Sequence, residues 1–338
     1  MDMSQKLSIR DIARMADVSV ATVSRVINNN GRFSEETRQR VQKVIDENGY
    51  VTNMAARSLR SSKSGNIGMI VPDISNDFFS AIALHAERFL AGKGYSVFVC
   101  NSGNDPEREM DYFRTLTSKL VDGILCISGL NTLGDDLLTS RVPVVCIDRY
   151  PENARAIPRV STNDIEASRI ATEHLIEQGC QNILFVSSYT ARHSKRDRED
   201  GFVRALEEHG LPSPVENRIY ITGEQPSMIE AEAFLAELLR QRGQDFDGIF
   251  CSSDHTAVGC LRALRSAGVD VPGRVRVVGF DDSIYAQLTT PSITSIQRHP
   301  DQLARRGCEA LLQLISGETP PLETYVPAEL IVRDSTLS

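Results

Sequence analysis

The side chains able to do chemistry in this 338-residue chain fall into two sets, and neither forms a catalytic constellation. The first is a run of hydroxyl, amide and guanidinium groups, Ser19, Thr22, Ser24, Arg25 and Asn28, beside the small apolar Val20 and Ala21. Such donors fit phosphate oxygens and base edges, and Val20 and Ala21 can touch a thymine methyl. The second set lies just behind short apolar runs: Asn76 with Phe78 and Phe79, Asp148-Arg149, Arg198, Asp254 and Asp281. Amides, carboxylates and guanidiniums can bond adjacent hydroxyls in pairs, and an aromatic ring can cover the apolar face of a sugar. Plainer roles stay open: capping and solvation for the first set, helix-start packing for the phenylalanines, an ion pair for Asp148-Arg149, and a turn or cap for Asp281. The histidines (85, 174, 193, 209, 255, 299) stand apart without matched partners, and none of the seven cysteines forms a CxxC pair. No GxSxG, P-loop, Rossmann or HExxH motif is present. These features predict no enzyme, no cofactor, no metal site and no disulfide scaffold, with buried free thiols in a reducing compartment.

Two kinds of element must position these groups. Apolar residues at Ile9, Ile12, Ala13, Ala16, Val18, Val23, Val26 and Ile27 predict two short helices with a break near Asp17–Ser19. Ser19 is a suitable N-cap for a second helix over 20–28, and a third helix fits 34–48, ended by Gly49. The tight joint between the first two gives a helix-turn-helix unit, whose second helix enters the major groove. Charge divides at the same place. Residues 1–64 hold 11 Lys and Arg against 7 Asp and Glu, a net of +4, so a chain of net charge −8 carries −12 in the remainder. A basic head on an acidic body predicts that only the head meets a polyanion.

Beyond residue 65 short apolar runs alternate with amphipathic stretches. Strands are expected at 66–71, 95–100, 123–127, 142–147, 182–187, 218–221, 247–251, 275–279, 293–296 and near 325–332. Helices are expected near 79–93, 107–119, 134–140, 164–178, 199–209, 227–241, 255–267 and 301–315. The alternation predicts an α/β fold of doubly wound parallel sheets with right-handed crossovers. The echo between 121–128 and 246–253 suggests two similar lobes, with ligands bound at the carboxyl ends of their strands. The expected domains are a head at 1–51, a linker at 52–64 and a two-lobed core at 65–338. Lobe 1 is placed at 65–162 and 292–321, and lobe 2 at 163–291 and 322–338. No apolar run is long enough to span a bilayer and no secretory leader is visible, so a cytoplasmic location without membrane contact is expected.

The string Ile9-Arg10-Asp11-Ile12-Ala13, followed by Val18-Ser19-Val20-Ala21-Thr22-Val23-Ser24-Arg25-Val26-Ile27-Asn28, resembles the head of the LacI/GalR family of bacterial transcription regulators. Asp17 departs from the glycine usual in that family's turn; Asp tolerates the left-handed conformation better than most residues. The resemblance makes Arg25 the leading base reader. It also turns the segment around Asn53, Ala55, Ala56 and Leu59 into a hinge helix, whose Leu59 wedges into the minor groove while the alanines let two copies pack closely. In the core, Ser75–Phe79, Cys146–Arg149, Arg198–Phe202, Ser252–Asp254 and Val278–Asp282 are similar to family motifs, and Arg192 and Ser194 match further ligand positions. Family members that bind nucleobases tend to carry Trp where Arg149 stands, so the resemblance favours a polyol. It implies a core like that of periplasmic sugar-binding proteins. The implied protein is a repressor that binds palindromic operator DNA as a homodimer, under allosteric control by a monosaccharide or derivative held between the lobes. The competing expectation is a solute-binding protein of the same fold with no DNA role, for which a basic head has no use. An enzyme built on a sugar cleft would have to turn its sugar over.

Overall fold

A computed structural model describes residues 7–27, 30–50, 64–118, 121–130, 132–134, 141–188, 193–222 and 226–337, with the side chains of 188 and 193–195 left aside. It separates into two compact units, 1–64 and 65–338.

Among the described residues the head has three helices, α1 (Ile9–Met15), α2 (Val20–Ile27) and α3 (Glu35–Glu47). Ser8 and Asp11 form a reciprocal capping box on α1. Ser34 caps α3 by accepting from Thr37 N at 3.2 Å. The joint between α1 and α2 turns at Asp17, whose φ of +50° puts it in the left-handed region. Apolar spacing then delivers Ile12, Ala13, Ala16, Val23, Val26 and Val41 to one small core.

In the core unit, strands and helices alternate as the sequence predicts. Sheet A orders its strands β11-β5-β4-β3-β1-β2, from β1 (Asn66–Val71), β2 (Ser96–Asn101), β3 (Gly123–Cys126), β4 (Val144–Ile147), β5 (Arg159–Thr162) and β11 (Glu323–Val326). Sheet B orders β12-β10-β9-β8-β6-β7, from β6 (Ile183–Ser188), β7 (Arg218–Ile221), β8 (Gly248–Cys251), β9 (Arg276–Asp281), β10 (Thr294–Gln297) and β12 (Glu329–Ile331). All pairings are parallel except β10 with β12. The helices are α4 (Asp77–Ala91), α5 (Pro106–Ser118), α6 (Asp164–Glu177), α7 (His193–Glu208), α8 (Ser227–Arg242), α9 (Asp254–Ser266), the short α10 (Ile284–Leu288) and α11 (Pro300–Ser316). Separate apolar clusters line each sheet. No helix among the described residues is long and apolar enough to cross a membrane. All seven cysteines are free thiols, six of them buried.

Three details differ from expectation. Strand β10 pairs with β9 and so belongs to lobe 2, while β11 pairs with β5 and belongs to lobe 1. The later lobe crossings therefore fall after β10 and after β11, not at 292 and 321. The stretch expected as one strand near 325–332 is two, one for each sheet. Short apolar runs announce a strand but not the sheet it joins. Finally, β5 and α10 had no sequence signal: Arg159-Val160-Ser161-Thr162 has one apolar residue, yet three of its four positions are buried. The helix expected at 134–140 lies almost wholly outside the described residues.

Candidate functional site

In the head, the polar run sits on α2 and its entry. Ser19 Oγ accepts from Thr22 N at 3.1 Å and lies 2.9 Å from Thr22 Oγ1, so the hydroxyl satisfies a first-turn amide. Val23 and Val26 turn inward, leaving Ser19, Ala21 and Arg25 exposed and Val20, Thr22 and Ser24 half-buried. Ala21 and Arg25, four residues apart, share one outer face of α2. The Arg25 stem lies along Gly31, where an added Cβ would be 3.3 Å from Arg25 Cδ. A short, capped helix thus presents a guanidinium and hydroxyls outward. Asn28, Asn53, Ala55, Ala56 and Leu59 lie outside the described residues.

In the core, the residues singled out in sequence converge from both lobes, around one that was not. Arg298 follows β10 and is buried, its side chain 2% exposed. It donates to Asp148 Oδ1 behind β4, reaches Asp281 Oδ1 at the end of β9 at 3.3 Å, and stands 3.6 Å from Asp164 Oδ1 at the start of α6. Its guanidinium also covers the Phe78 ring at 4.3 Å. Arg198 on α7 donates to Asp164 Oδ2 at 3.0 Å and to the Ser252 carbonyl behind β8, and its guanidinium stacks 3.9 Å from Phe280. Arg149 approaches Asp148 Oδ2 at 3.6 Å and lies over the Phe79 ring at 4.7 Å. The polar residues thus gather at the carboxyl ends of β4, β5, β8, β9 and β10, where α/β sheets bind ligands.

The remaining expected residues are placed more locally. Asn76 caps α4, its Oδ1 accepting from Phe78 N at 3.0 Å and Phe79 N at 3.4 Å. Phe78 and Phe79 are buried in the lobe 1 core, and guanidiniums lie over their faces. Asp254 is committed within lobe 2, accepting from Ser295 Oγ and from Ser283 N, both at 2.6 Å. Arg192 lies outside the described residues, as does the side chain of Ser194. A second inter-lobe contact joins His255 Nε2 on α9 to Asp77 Oδ1 on α4 at 3.5 Å, with the His255 ring against Tyr285.

Burial sets the charges. It pushes the Asp148 carboxyl up, but Arg298, Arg149 and Arg198 outweigh it and hold the group below its usual range. Burial likewise works against a charged Arg298, and Asp148, Asp164 and Asp281 more than restore the cation. Asp281 is raised by burial, with Arg198 and Arg298 opposing. Asp254 is pushed up to about 7, first by burial and then by the charge on Asp281. Arg298, Asp164 and Thr162, whose Oγ1 accepts from Arg298 Nε at 3.4 Å, went unremarked in the sequence. Their signal was position: Arg298 directly follows β10, and Thr162 and Asp164 flank the end of β5, the strand with no apolar signature.

Two family models match the chain. The model for bacterial regulatory proteins of the lacI family matches residues 8–53, and a periplasmic binding protein-like domain matches 172–336. The chain is 34% identical over 332 residues to the ribose operon repressor of Halalkalibacterium halodurans, covering 97% of each. The chain belongs to the LacI family of bacterial transcription regulators. Among solved structures, a complex of the transcriptional regulator CelR with cellobiose is 28% identical, covers 97% of this chain and 99% of its own, and has a TM-score of 0.72. A periplasmic binding protein/LacI transcriptional regulator from Alkaliphilus metalliredigens QYMF, complexed with D-xylulofuranose, is 30% identical, covers 81% of this chain and 100% of its own, and has a TM-score of 0.69. This LacI-family chain is therefore a DNA-binding transcription regulator rather than an enzyme, with a helix-turn-helix head and a two-lobed α/β core.

Proposed function

We propose that the chain is a repressor that holds a palindromic operator as a homodimer and changes its grip when a monosaccharide or close derivative enters between the core lobes. The observation that carries this reading is the strand-end cluster, in which Arg298 of lobe 2 bonds Asp148 of lobe 1. A ligand that competes for those groups alters how the lobes meet, and any difference in its affinity for two lobe arrangements shifts their populations. The names of the relatives support a sugar: one serves a ribose operon, and two related regulators were solved with cellobiose or D-xylulofuranose.

Residues 1–51 serve as the DNA-binding domain and 52–64 as the hinge, with Leu59 as minor-groove wedge and Asn53, Ala55 and Ala56 beside it. Ser19, Thr22, Ser24 and Asn28 fix register on phosphates, while Val20, Ala21 and Arg25 face bases. One recognition helix reads one half-site, so a two-fold operator calls for two heads. Sheet A ends in the edge strand β2, where Phe98 and Val99 are exposed, as is Leu84 on α4, apolar side chains that a second copy would cover. Selection of DNA from a random pool by the full chain tests the reading. A two-fold symmetric motif bound by a dimer is expected, with Arg25→Ala weakening it at least about tenfold. An asymmetric motif bound by a monomer, or no enrichment, would overturn it.

A further inference from the structure

We propose that the strand-end cluster selects an uncharged polyhydroxy ligand and rejects phosphorylated or carboxylated sugars; this rests on the core cluster being the effector site. Among the described residues, three cations gather there, Arg149, Arg198 and Arg298, and each is matched. Arg298 is shared by Asp148, Asp281 and Asp164; Arg198 holds Asp164, with Asp281 4.0 Å away; Arg149 faces Asp148. Among the described residues, three guanidiniums against three carboxylates leave no net positive charge for an anion. Asp254 is the fourth carboxyl, and its ionisation makes the group negative.

Three helix starts near the cluster are also closed to an anion. An anion often docks at a bare helix N-terminus. Of the helices that begin just behind strand carboxyl ends, α10 after β9 and α11 after β10 start without a side-chain cap, whereas the three after β1, β5 and β8 are filled. The α4 amides are capped by Asn76, the α6 amide of Glu166 by Asn163 at 3.2 Å, and the α9 amide of Thr256 by Ser253 at 3.3 Å. The first residue of each helix is an aspartate, Asp77, Asp164 and Asp254, whose negative charge already complements the helix dipole.

One carboxylate oxygen of the cluster lacks a donor. Asp164 Oδ1 is buried and accepts no hydrogen bond from the protein; its nearest cation is Arg298 Nη2 at 3.6 Å. A buried carboxylate oxygen left so is satisfied by a hydroxyl, which donates, and is repelled by an ionised phosphate, which only accepts. Hydroxyls also accept from the guanidiniums without displacing their carboxylates. A polyol therefore completes the network, whereas a phosphate places a second negative charge beside it.

Calorimetry and thermal shift on the full chain test this with matched probes: D-ribose and D-ribose 5-phosphate, D-xylulose and D-xylulose 5-phosphate, D-glucose, D-glucose 6-phosphate and D-gluconate, and inorganic phosphate alone. Wherever a parent sugar binds, its charged partner should bind at least about 100-fold more weakly. Inorganic phosphate should give no saturable shift with the wild-type chain. Asp148→Asn and Asp164→Asn, in different lobes, each leave a guanidinium in excess and should gain a phosphate-dependent shift; melting curves without phosphate verify that each variant folds. A phosphorylated or carboxylated sugar binding as tightly as its parent would overturn the proposal, as would saturable phosphate binding by the wild type that neither variant increases. If no parent sugar binds but the variants gain the phosphate response, charge selection stands and the sugar reading falls.

Discussion

The head and the core put the same side-chain chemistry to opposite structural use. In the head, Arg25 and Ser19 are exposed around a core that holds six buried apolar residues among those described, and the guanidinium takes no part in that core. In the core unit, Arg298 and Arg198 are buried among carboxylates and aromatic rings that also hold strand ends together. A surface that reads a long polyanion needs donors pointing outward, whereas a site that encloses a small ligand must desolvate its polar groups and therefore pair them. Recognition and stability are accordingly separable in the head and fused in the core.

The sharpest way to break that contrast is Arg298→Met, which strands three carboxylates in a site the cation had balanced. Removing one partner from a buried ionic network costs about 3–5 kcal/mol, so urea unfolding of the core should shift by that order while the head's own transition stays put. A loss below about 1 kcal/mol would mean that the carboxylates do not depend on Arg298. Next in size, Ile12→Ala should destabilise the head by about 2–4 kcal/mol, read by thermal unfolding, because the side chain is wholly buried in a small core. Its exposed neighbour Arg25→Ala should change head stability by less than about 0.5 kcal/mol while weakening DNA binding.

A pH series sharpens the core side. The Asp254 carboxyl sits at about 7 in the folded chain, against about 3.9 when unfolded. Between those values the folded chain keeps a proton that the unfolded chain has released. Asp254 thus removes stability as pH rises from about 4 to about 7, by at most about 1.4 kcal/mol per pH unit, and the trend flattens above that. Asp254→Asn should erase this component when unfolding free energies are compared from pH 5 to 8. The cap is a modest effect: Ser19→Ala should cost the head about 1 kcal/mol, measured by thermal unfolding.

Much of this architecture was legible in the sequence because periodicity reports burial on one face. The three head helices, the Ser19 cap, the break at Asp17 and most core strands were legible in this way. Sheet membership did not follow. Strand β10 joins lobe 2 through pairing with β9, a contact between segments whose sequences contain no mark of one another. The site was half legible for the same reason. Asp148, Arg149, Arg198 and Asp281 stand out behind apolar strands, but Asp164 and Arg298 acquire meaning only when β5 and β10 bring them to the same place. Arg298, the central cation, lies 150 residues from the Asp148 it bonds.

The most direct test of the account is a DNA titration followed by fluorescence anisotropy, using the full chain and the fragment it selects. It is run with and without whichever parent sugar stabilises the core, in the wild type and in Arg149→Ala. The account predicts that the sugar moves the wild-type midpoint at least about fivefold, a coupling of roughly 1 kcal/mol, and that Arg149→Ala leaves sugar-free DNA binding intact while losing the response at the same sugar concentration. A sugar that saturates the core yet leaves the wild-type midpoint unmoved would contradict it.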